Sequence, residues 1–309
     1  MQVGDGVSVG CEAAVHAACR FLDSMNEDQI FVKLDFANAF NCLHRDHMRE
    51  TIRNIFPEIY CFCFSAYRNH SILQFGNFSL MSRVGPQQGD PLASLLFCLA
   101  FEKLLRVTHS AFTSGFMDDI VNIRDVARDV DYIRTEGEAI VLFLNNENCE
   151  IISRSDTSNL TQAGTFYKFA ILRPEDSTLL GTPLSRGSAL DLCLEDKISK
   201  LRYAISRLRL LPAQEALIIL RSSFSTPRLM HVLRCSPCFG HHLLPKHDTV
   251  LREGLSAIVN IHMSDIYWLQ ASISVKSGGL GIRRAVSLAL PAFLASAVAT
   301  SDLQFAILS

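Results

Sequence analysis

The chain of 309 residues lacks a strong net charge, a long apolar run and any internal repeat, and it holds a single tryptophan. No segment reaches the roughly 18 apolar residues of a membrane-spanning helix, so a membrane partner is not expected. The first residues lack the basic segment of a secretory signal peptide. The sequence also shows no low-complexity segment, and its apolar content of 49% argues against a disordered chain.

The abundance of hydrophobic residues is typical of a globular protein with a sizeable core. Hydrophobic residues make up 49% of the chain, and the length fits two or three subdomains. Ten cysteines are scattered along it, several of them inside apolar runs, as Cys61, Cys63 and Cys98 are. This pattern is typical of buried thiols in a reducing intracellular compartment, nuclear or cytoplasmic.

The net charge of −2 hides an uneven distribution along the chain. Residues 1–189 carry 16 Lys and Arg against 23 Asp and Glu, whereas residues 190–309 carry 13 against 8. A basic second part next to an acidic first part is suited to holding a nucleic-acid backbone beside a metal site. For any single basic residue, a solvated helix face is the simpler interpretation.

Three short segments in a fixed order carry the chemistry, namely residues 31–40 (FVKLDFANAF), 86–92 (PQQGDPL) and 116–121 (FMDDIV). In the first and third segments, the aspartates follow an apolar, strand-like run, where a carboxylate is costly unless it binds a cation or finds donors. Two such strands side by side would gather three carboxylates. Crowded carboxylates repel each other, and oxygen ligands favour Mg²⁺ or Mn²⁺ over zinc.

These segments resemble the motifs of the reverse transcriptase family, and most closely those of non-LTR (LINE-like) retrotransposons. Further similarity lies in residues 179–184, 268–272 and 278–283, so the resemblance covers nearly the whole chain. It implies that Asp35 and Asp118 are direct metal ligands and that Asp119 is a nearby, less direct one. It also implies two Mg²⁺ ions, with Mn²⁺ as a substitute.

The resemblance assigns nucleotide contacts to three more residues. Phe40 would lie beneath the sugar, where a bulky ring clashes with a 2′-hydroxyl and so favours deoxynucleotides. Gln88 and Gly89 would lie along the incoming nucleotide and the template, since glycine permits close backbone approach. A buried core aromatic is the alternative interpretation of Phe40, and both roles are compatible.

The fold class implied is α+β, a right-hand polymerase palm with an antiparallel sheet and packed helices, followed by a helical thumb, with the fingers largely missing. The palm with residual fingers is expected over residues 1–185 and the helical thumb or C-terminal region over 186–309. Sequence patterns predict strands at 31–36, 139–144 and 149–152 and hairpins at 71–82 and 112–123. They predict helices at 10–25, 45–56, 91–107, 195–210, 213–224, 249–261 and 284–299, with a loop at 153–178.

The function implied is RNA-directed DNA polymerisation, with an RNA template, a DNA primer and deoxynucleoside triphosphates as partners. The resemblance also implies a place in a larger retrotransposon polyprotein. The alternative is a catalytically inactive remnant that binds nucleic acid. It is favoured by Asn148, which stands where the family has a lysine thought to protonate the leaving pyrophosphate.

A third hypothesis is a zinc-dependent nucleic-acid-binding module. Two cysteines and three histidines follow one another closely, although their spacing is not that of a standard knuckle or finger. Packing of a loop is the simpler interpretation of this segment. The residues are Cys235, Cys238, His241, His242 and His247.

Overall fold

The computed structural model describes residues 3–4, 6–106, 112–116, 119–123 and 126–308, and gives the backbone alone at 103, 106, 112–116 and 119–123. It contains two compact units, called here the first unit (Met1–Arg173 with Leu303–Ser309) and the second unit (Pro174–Asp302). The division after Arg173 comes earlier in the chain than the boundary expected at residue 185. The chain is a helix-rich α+β protein with small sheets, in agreement with the α+β class expected.

A five-stranded sheet forms the centre of the first unit, with β1 in its middle. β1 combines Ile, Phe and Val, which favour extended backbone, and it pairs antiparallel with β5 on one side and β6 on the other. The spatial order is β4-β5-β1-β6-β7, and the β6–β7 pair is parallel. These strands are β1 (Ile30–Leu34), β4 (Phe112–Phe116), β5 (Asp119–Ile123), β6 (Glu150–Ser153) and β7 (Ala170–Leu172).

A separate two-stranded hairpin of the first unit consists of β2 (Ser71–Phe75) and β3 (Phe78–Ser82), as predicted for residues 71–82. Gly76 in its turn has φ of +58°, which glycine adopts at little cost. Most of the hairpin side chains are exposed, including Phe75 and Phe78. The hairpin predicted at 112–123 is also confirmed by the paired strands β4 and β5.

The helices of the first unit supply most of its core. Phe36 meets Phe101 edge to face at 5.3 Å between ring centroids, and Phe97 stacks on Phe101 at 5.5 Å. The side chain of Asp90 accepts the Leu92 amide at 2.9 Å just before α5 begins. These helices are α1 (Gly10–Ser24), α2 (Ala39–Cys42), α3 (Arg45–Ile55), α4 (Pro57–Tyr67), α5 (Ala93–Arg106) and α6 (Val126–Ala139).

The strand predicted at 139–144 is wrong, because this apolar stretch ends helix α6. The amide of Leu142 bonds to the carbonyl of Gly137 at 2.8 Å and that of Val141 to Glu138 at 3.1 Å. Val141 has φ of +65°, so the pattern is a Schellman-type helix end with valine where glycine is usual. Only Leu144 forms a bridge, with Phe36.

The second unit is almost entirely helical around its own apolar core. It opens with a tight hairpin, β8 (Thr178–Leu179) and β9 (Thr182–Pro183). Helix α8 continues into one π-helical turn, Leu220–Phe224, within the predicted helix 213–224. The helices are α7 (Ser188–Leu208), α8 (Ala213–Ile219), α9 (Thr226–Cys235), α10 (Leu243–Val259), α11 (Asp265–Ser272) and α12 (Ala285–Ala299), after which α13 (Ser301–Leu308) begins.

Within the described ranges, none of the individual helices combines the length and apolarity needed to cross a membrane. One bent pair, α12 with α13, meets those criteria by length and composition.

Candidate functional site

Asp35 follows the central strand β1 directly, at the end of a largely buried run. Phe31, Val32 and Leu34 are fully buried, whereas Asp35 itself is half-buried. Its amide points at the sulfur of Cys149 at 3.3 Å, and its carbonyl accepts the amide of Asn145 at 2.8 Å. The backbone of Asp35 is therefore held from the neighbouring segment, so its carboxylate occupies a fixed place at the strand end.

Among the described side chains, the carboxylate of Asp35 has one hydrogen-bond donor and spare acceptor capacity. Asn148 donates from Nδ2 to Oδ2 at 3.1 Å. An ionised carboxylate offers about four lone-pair positions, so most remain open. Among the side chains that the structure describes, no Lys or Arg forms an ion pair with Asp35. The group can thus accept a cation without first breaking a salt bridge.

The register of β1 and β5 brings the backbone of a second aspartate alongside. The last pair in the register is Leu34 with Ile120, so Asp35 and Asp119 are the next residues along the two strands. Asp118, like the side chain of Asp119, lies outside the described residues, so the gathering of three carboxylates stays a prediction.

The residues beside Asp35 explain part of its environment. Lys33, two residues earlier, forms an ion pair of 3.5 Å with Glu150 on β6, its cross-strand partner. Burial raises the pKa of the Cys149 thiol to about 11, so this sulfur stays protonated at neutral pH. Its proton points at the Asp35 carbonyl, with the sulfur at 3.7 Å. Cys149 therefore supports the backbone of Asp35 and is not suited to bind metal as a thiolate.

The turn predicted to contact the nucleotide is anchored to the start of α2 and α3. Gly85 has φ of +68°, and a Cβ atom there would lie 2.6 Å from the carbonyl oxygen of Phe40 and 2.7 Å from the backbone of Asn41. Buried Arg45 donates to the Gly85 carbonyl at 2.9 Å and to the Ser82 carbonyl at 3.1 Å. Only glycine fits this approach, which fixes the distance between the turn and α2.

A hydrogen-bond network then shapes the rest of the turn. The Tyr67 hydroxyl donates to the Asp90 carboxylate and accepts the Gln87 amide at 3.2 Å. The Gln87 side chain donates to Ser71. Burial, followed by the bond to Asp90, raises the pKa of Tyr67 to about 12, so the hydroxyl remains a donor. Arg45 lies over the Tyr67 ring at 5.2 Å, which joins the network to the Gly85 anchor.

The two predicted contact residues of this turn face solvent. Gln88 and Gly89 are both exposed. Gly89 has φ of +92°, and a Cβ atom added there would meet no described atom within 4 Å. Phe40 is half-buried on α2, with its ring centroid 5.5 Å from that of Phe97. Phe40 is thus a packed aromatic with part of its ring accessible, as both interpretations of it require.

Sequence reasoning missed the side chains that hold this site. Arg45 and Tyr67 lie 40 and 18 residues before Gly85 and carry no motif of their own. The sequence presents Asn148 only as a replacement for lysine, whereas in the structure it hydrogen-bonds Asp35 directly. The sequence carries no signal for this role of Arg45, because its burial is seen only in the structure.

The five residues of the third hypothesis do not gather at one point: among the described residues, His241 and His242 group with Asp191 and not with Cys235, Cys238 or His247. Cys235 and Cys238 are both buried. The sulfur of Cys235 lies 3.6 Å from His231 Nδ1, and that of Cys238 lies 3.9 Å from the Val232 carbonyl oxygen. Burial raises the pKa of Cys238 to about 11, which disfavours the thiolate that zinc requires. His247 is buried on α10 beside Asp248.

A basic groove lies on the second unit near the end of α7. Its volume is about 520 Å³, and its lining combines cations with exposed apolar and aromatic side chains. Tyr203 is 70% exposed, and the Arg228 guanidinium lies over the Phe224 ring at 4.8 Å. We call it the α7 groove, and its charged and aromatic members are Lys200, Tyr203, Arg207, Phe224 and Arg228.

Comparisons with known proteins find similarity among solved structures alone. No family model matches the chain, and no curated protein matches it. Among the solved structures that match, one is telomerase from Candida albicans in complex with a TWJ fragment of telomeric RNA, with 12% identity and a TM-score of 0.40. The match covers 98% of this chain and 52% of the telomerase chain, so the chain spans about half of that protein's length.

Proposed function

We propose that this chain is a fragment of the RNA-directed DNA polymerase domain of a non-LTR retrotransposon, with a palm in the first unit and a thumb in the second. It would add deoxynucleotides to a primer 3′-hydroxyl on an RNA template. The observation that carries the proposal is the Asp35 carboxylate, open to a cation at the end of β1, with Asp119 next in register on β5.

The donor chemistry at this strand end suits magnesium. Carboxylate oxygens are the ligands that Mg²⁺ and Mn²⁺ prefer, and Asp35 is not paired with a described basic side chain. We propose that Asp35, Asp118 and Asp119 hold two such ions. When bound, the ions would activate the primer 3′-hydroxyl and stabilise the leaving pyrophosphate.

The remaining residues of the site are proposed to position the metal ligand, the nucleotide and the template. The Asn148 amide donates to Asp35 and would fix the direction in which its second oxygen points. Phe40, supported by Phe97, would form the wall beneath the sugar and exclude a 2′-hydroxyl. Gln88 and Gly89, on an anchored and exposed turn, would contact the nucleotide and the template. Positioning of this kind accounts for much of the catalysis in phosphoryl transfer.

The α7 groove would hold the nucleic-acid backbone. Its cations provide a sequence-independent attraction for phosphate, and its exposed aromatic and apolar side chains suit contact with sugar or base. We further propose an intracellular, reducing compartment and a place in a larger polyprotein, as the resemblance implies.

Primer extension tests the proposal. Purified chain is incubated with an RNA template, a labelled DNA primer and deoxynucleoside triphosphates, in Mg²⁺ and in Mn²⁺, beside the variant Asp118→Ala. Extension that the variant abolishes supports the polymerase. Absence of extension from a chain shown by circular dichroism to be folded rejects the polymerase for this chain.

The second candidate is an inactive remnant that binds nucleic acid. Asn148 favours it, because a neutral amide bonded to Asp35 cannot deliver a proton to pyrophosphate as a lysine would. This candidate predicts retention of a primer–template duplex in a filter-binding assay without any extension. Asn148→Lys separates the two, since restored extension would show that only the proton donor was lost.

A further inference from the structure

The second unit contains a group of side chains that the polymerase proposal does not use. Asp191, His241 and His242 each offer a ligand atom, and these atoms lie within 4.8 Å of one another. Within the part of the chain that the structure describes, it is the one cluster of three or more such groups. The sequence pattern does not indicate that Asp191 lies beside the two histidines, because about 50 residues separate them.

The contacts inside the cluster bring the donor atoms to one point. His241 Nε2 lies 3.0 Å from Asp191 Oδ1, and the rings of His241 and His242 stack with centroids 4.6 Å apart. Two imidazole nitrogens and one carboxylate oxygen, all of them ligand types for divalent transition metals, therefore lie together.

The surrounding backbone holds these donors in place. Asp191 lies in the first turn of α7, where the helix dipole favours an ionised carboxylate. Arg186 donates to the carbonyls of Pro237 and Phe239, both at 3.0 Å, and so fixes the loop that leads to His241. His242 directly precedes α10, which packs against α7. The cluster thus joins the starts of two packed helices.

We propose that Asp191, His241 and His242 form a binding site for a divalent transition-metal ion, with zinc as the occupant. Two imidazole nitrogens and one carboxylate oxygen suit zinc and its neighbours and do not suit magnesium. The ion would replace the hydrogen bond between His241 and Asp191 and join α7 to the start of α10. Water would complete its coordination, because His242 is exposed.

Binding at His241 Nε2 requires a change of tautomer. In the metal-free chain, Nδ1 accepts the Leu243 amide at 3.3 Å, so the proton is on Nε2 and is shared with Asp191. The proton must move to Nδ1 when Nε2 binds metal, and the long Leu243 contact is lost. This cost is small, since a bond of that length is weak.

The site is tested with zinc and cobalt alone, without nucleic acid or nucleotides, so its outcome is separate from that of the polymerase assay. Zinc affinity of the full chain is measured by competition with a chromophoric chelator. We expect one zinc per chain and a loss of about 10- to 100-fold in affinity for Asp191→Asn and for His242→Ala. The matched controls are Glu195→Gln, an exposed carboxylate one turn further along α7, and His262→Ala, an exposed histidine of the same unit.

Two results would overturn the site. One is zinc affinity that is the same in Asp191→Asn, in His242→Ala and in their controls, with circular dichroism showing that all are folded. The other is a sulfur-to-cobalt charge-transfer band in the cobalt-loaded chain, since that band requires a cysteine ligand and none belongs to this site. A thermal midpoint raised by zinc in the parent chain, but not in His242→Ala, is the expected companion result.

Discussion

The two units of the chain place their charges in opposite ways. The first unit has 15 Lys and Arg against 21 Asp and Glu, whereas the second has 14 against 10. In the first unit, the Asp35 carboxylate, which we propose binds metal, lies at the end of the central strand. In the second, the cations of the α7 groove are spread along exposed surface. Under the proposed function, a metal ligand could not be replaced by a neighbour, whereas dispersed phosphate contacts could compensate for one another.

The largest expected effect is that of Asp35→Asn on primer extension. The amide keeps the size and can keep a hydrogen bond, but it removes the negative charge that the proposed cation would require. We expect a loss of extension of about 1000-fold, comparable to the loss of a central electrostatic group in other enzymes. Extension is measured over single turnovers, with the thermal midpoint recorded to confirm that the fold is kept.

The matched control for that variant is Asp28→Asn. Asp28 is an exposed carboxylate two residues before β1, at the end of the strand opposite to Asp35, so it lies outside the site. Its extension rate should equal that of the parent chain. Equal loss in both variants would mean that net charge, and not the position at the strand end, supports activity, and the contrast between the units would fail.

The next prediction compares the hydrophobic cores of the two units by truncating one buried leucine in each. Leu34 on β1 and Leu251 on α10 are both fully buried. Truncation to alanine removes the same atoms and leaves a cavity, so each variant should lose about 3 kcal/mol of unfolding free energy. Chemical denaturation followed by circular dichroism measures this loss.

The same two variants reveal whether the units unfold separately. Leu34→Ala should weaken hydrogen-exchange protection in the first unit, and Leu251→Ala should weaken it in the second. A single shared transition, with protection lost everywhere in both variants, would contradict independent cores. Separate losses would establish that each apolar cluster stabilises its own unit.

The sequence predicts the elements that carry regular patterns. The hairpins at 71–82 and 112–123 and the helix that starts at Arg45 agree with the structure, since turn glycines and helical spacing are local signals. The sequence pattern does not reveal helix α6. It predicts a strand at 139–144 instead, because nothing in the sequence marks the end of that helix: Val141 takes the left-handed conformation that valine rarely adopts. Strand β7 lies in a polar stretch that gives no strand signal, since its partner β6 decides its conformation.

The candidate site could be predicted in part. The place of Asp35 after a buried strand followed from the pattern, and the structure agrees. Its hydrogen bond with Asn148 and the support of the turn by Arg45 and Tyr67 depend on contacts between distant residues. Pairwise contacts of this kind leave no periodic signal in a single sequence, and the joining of Asp191 to His241 is another example.

A smaller effect contrasts the two glycines of the turn. Gly85→Ala would force a Cβ atom against backbone that cannot move aside and would add strain from a positive φ, so we expect a loss of about 2–3 kcal/mol. Gly89→Ala meets no described atom within 4 Å and should cost only about 1 kcal/mol from its φ. Thermal unfolding gives both values. Equal costs would show that Gly85 is not held against α2.

The smallest effect belongs to the cations of the second unit. Arg207→Ala should weaken binding of a primer–template duplex by about threefold. The slope of log affinity against log salt concentration should also become shallower, by the amount that about one phosphate contact contributes. Lys200→Ala should lose less, because Lys200 is already paired with Asp196 at 2.7 Å. The control is Lys246→Ala, an exposed lysine of the same unit outside the α7 groove.

The double variant of Arg207 and Lys200 decides whether the groove behaves as a dispersed surface. Independent phosphate contacts predict that the two losses add in free energy and that the salt slope falls in proportion. A collapse of binding by Arg207→Ala alone would instead mark one indispensable contact. The second unit would then resemble the first, where we propose that a single carboxylate at the strand end is indispensable, and the distinction between the two units would no longer hold.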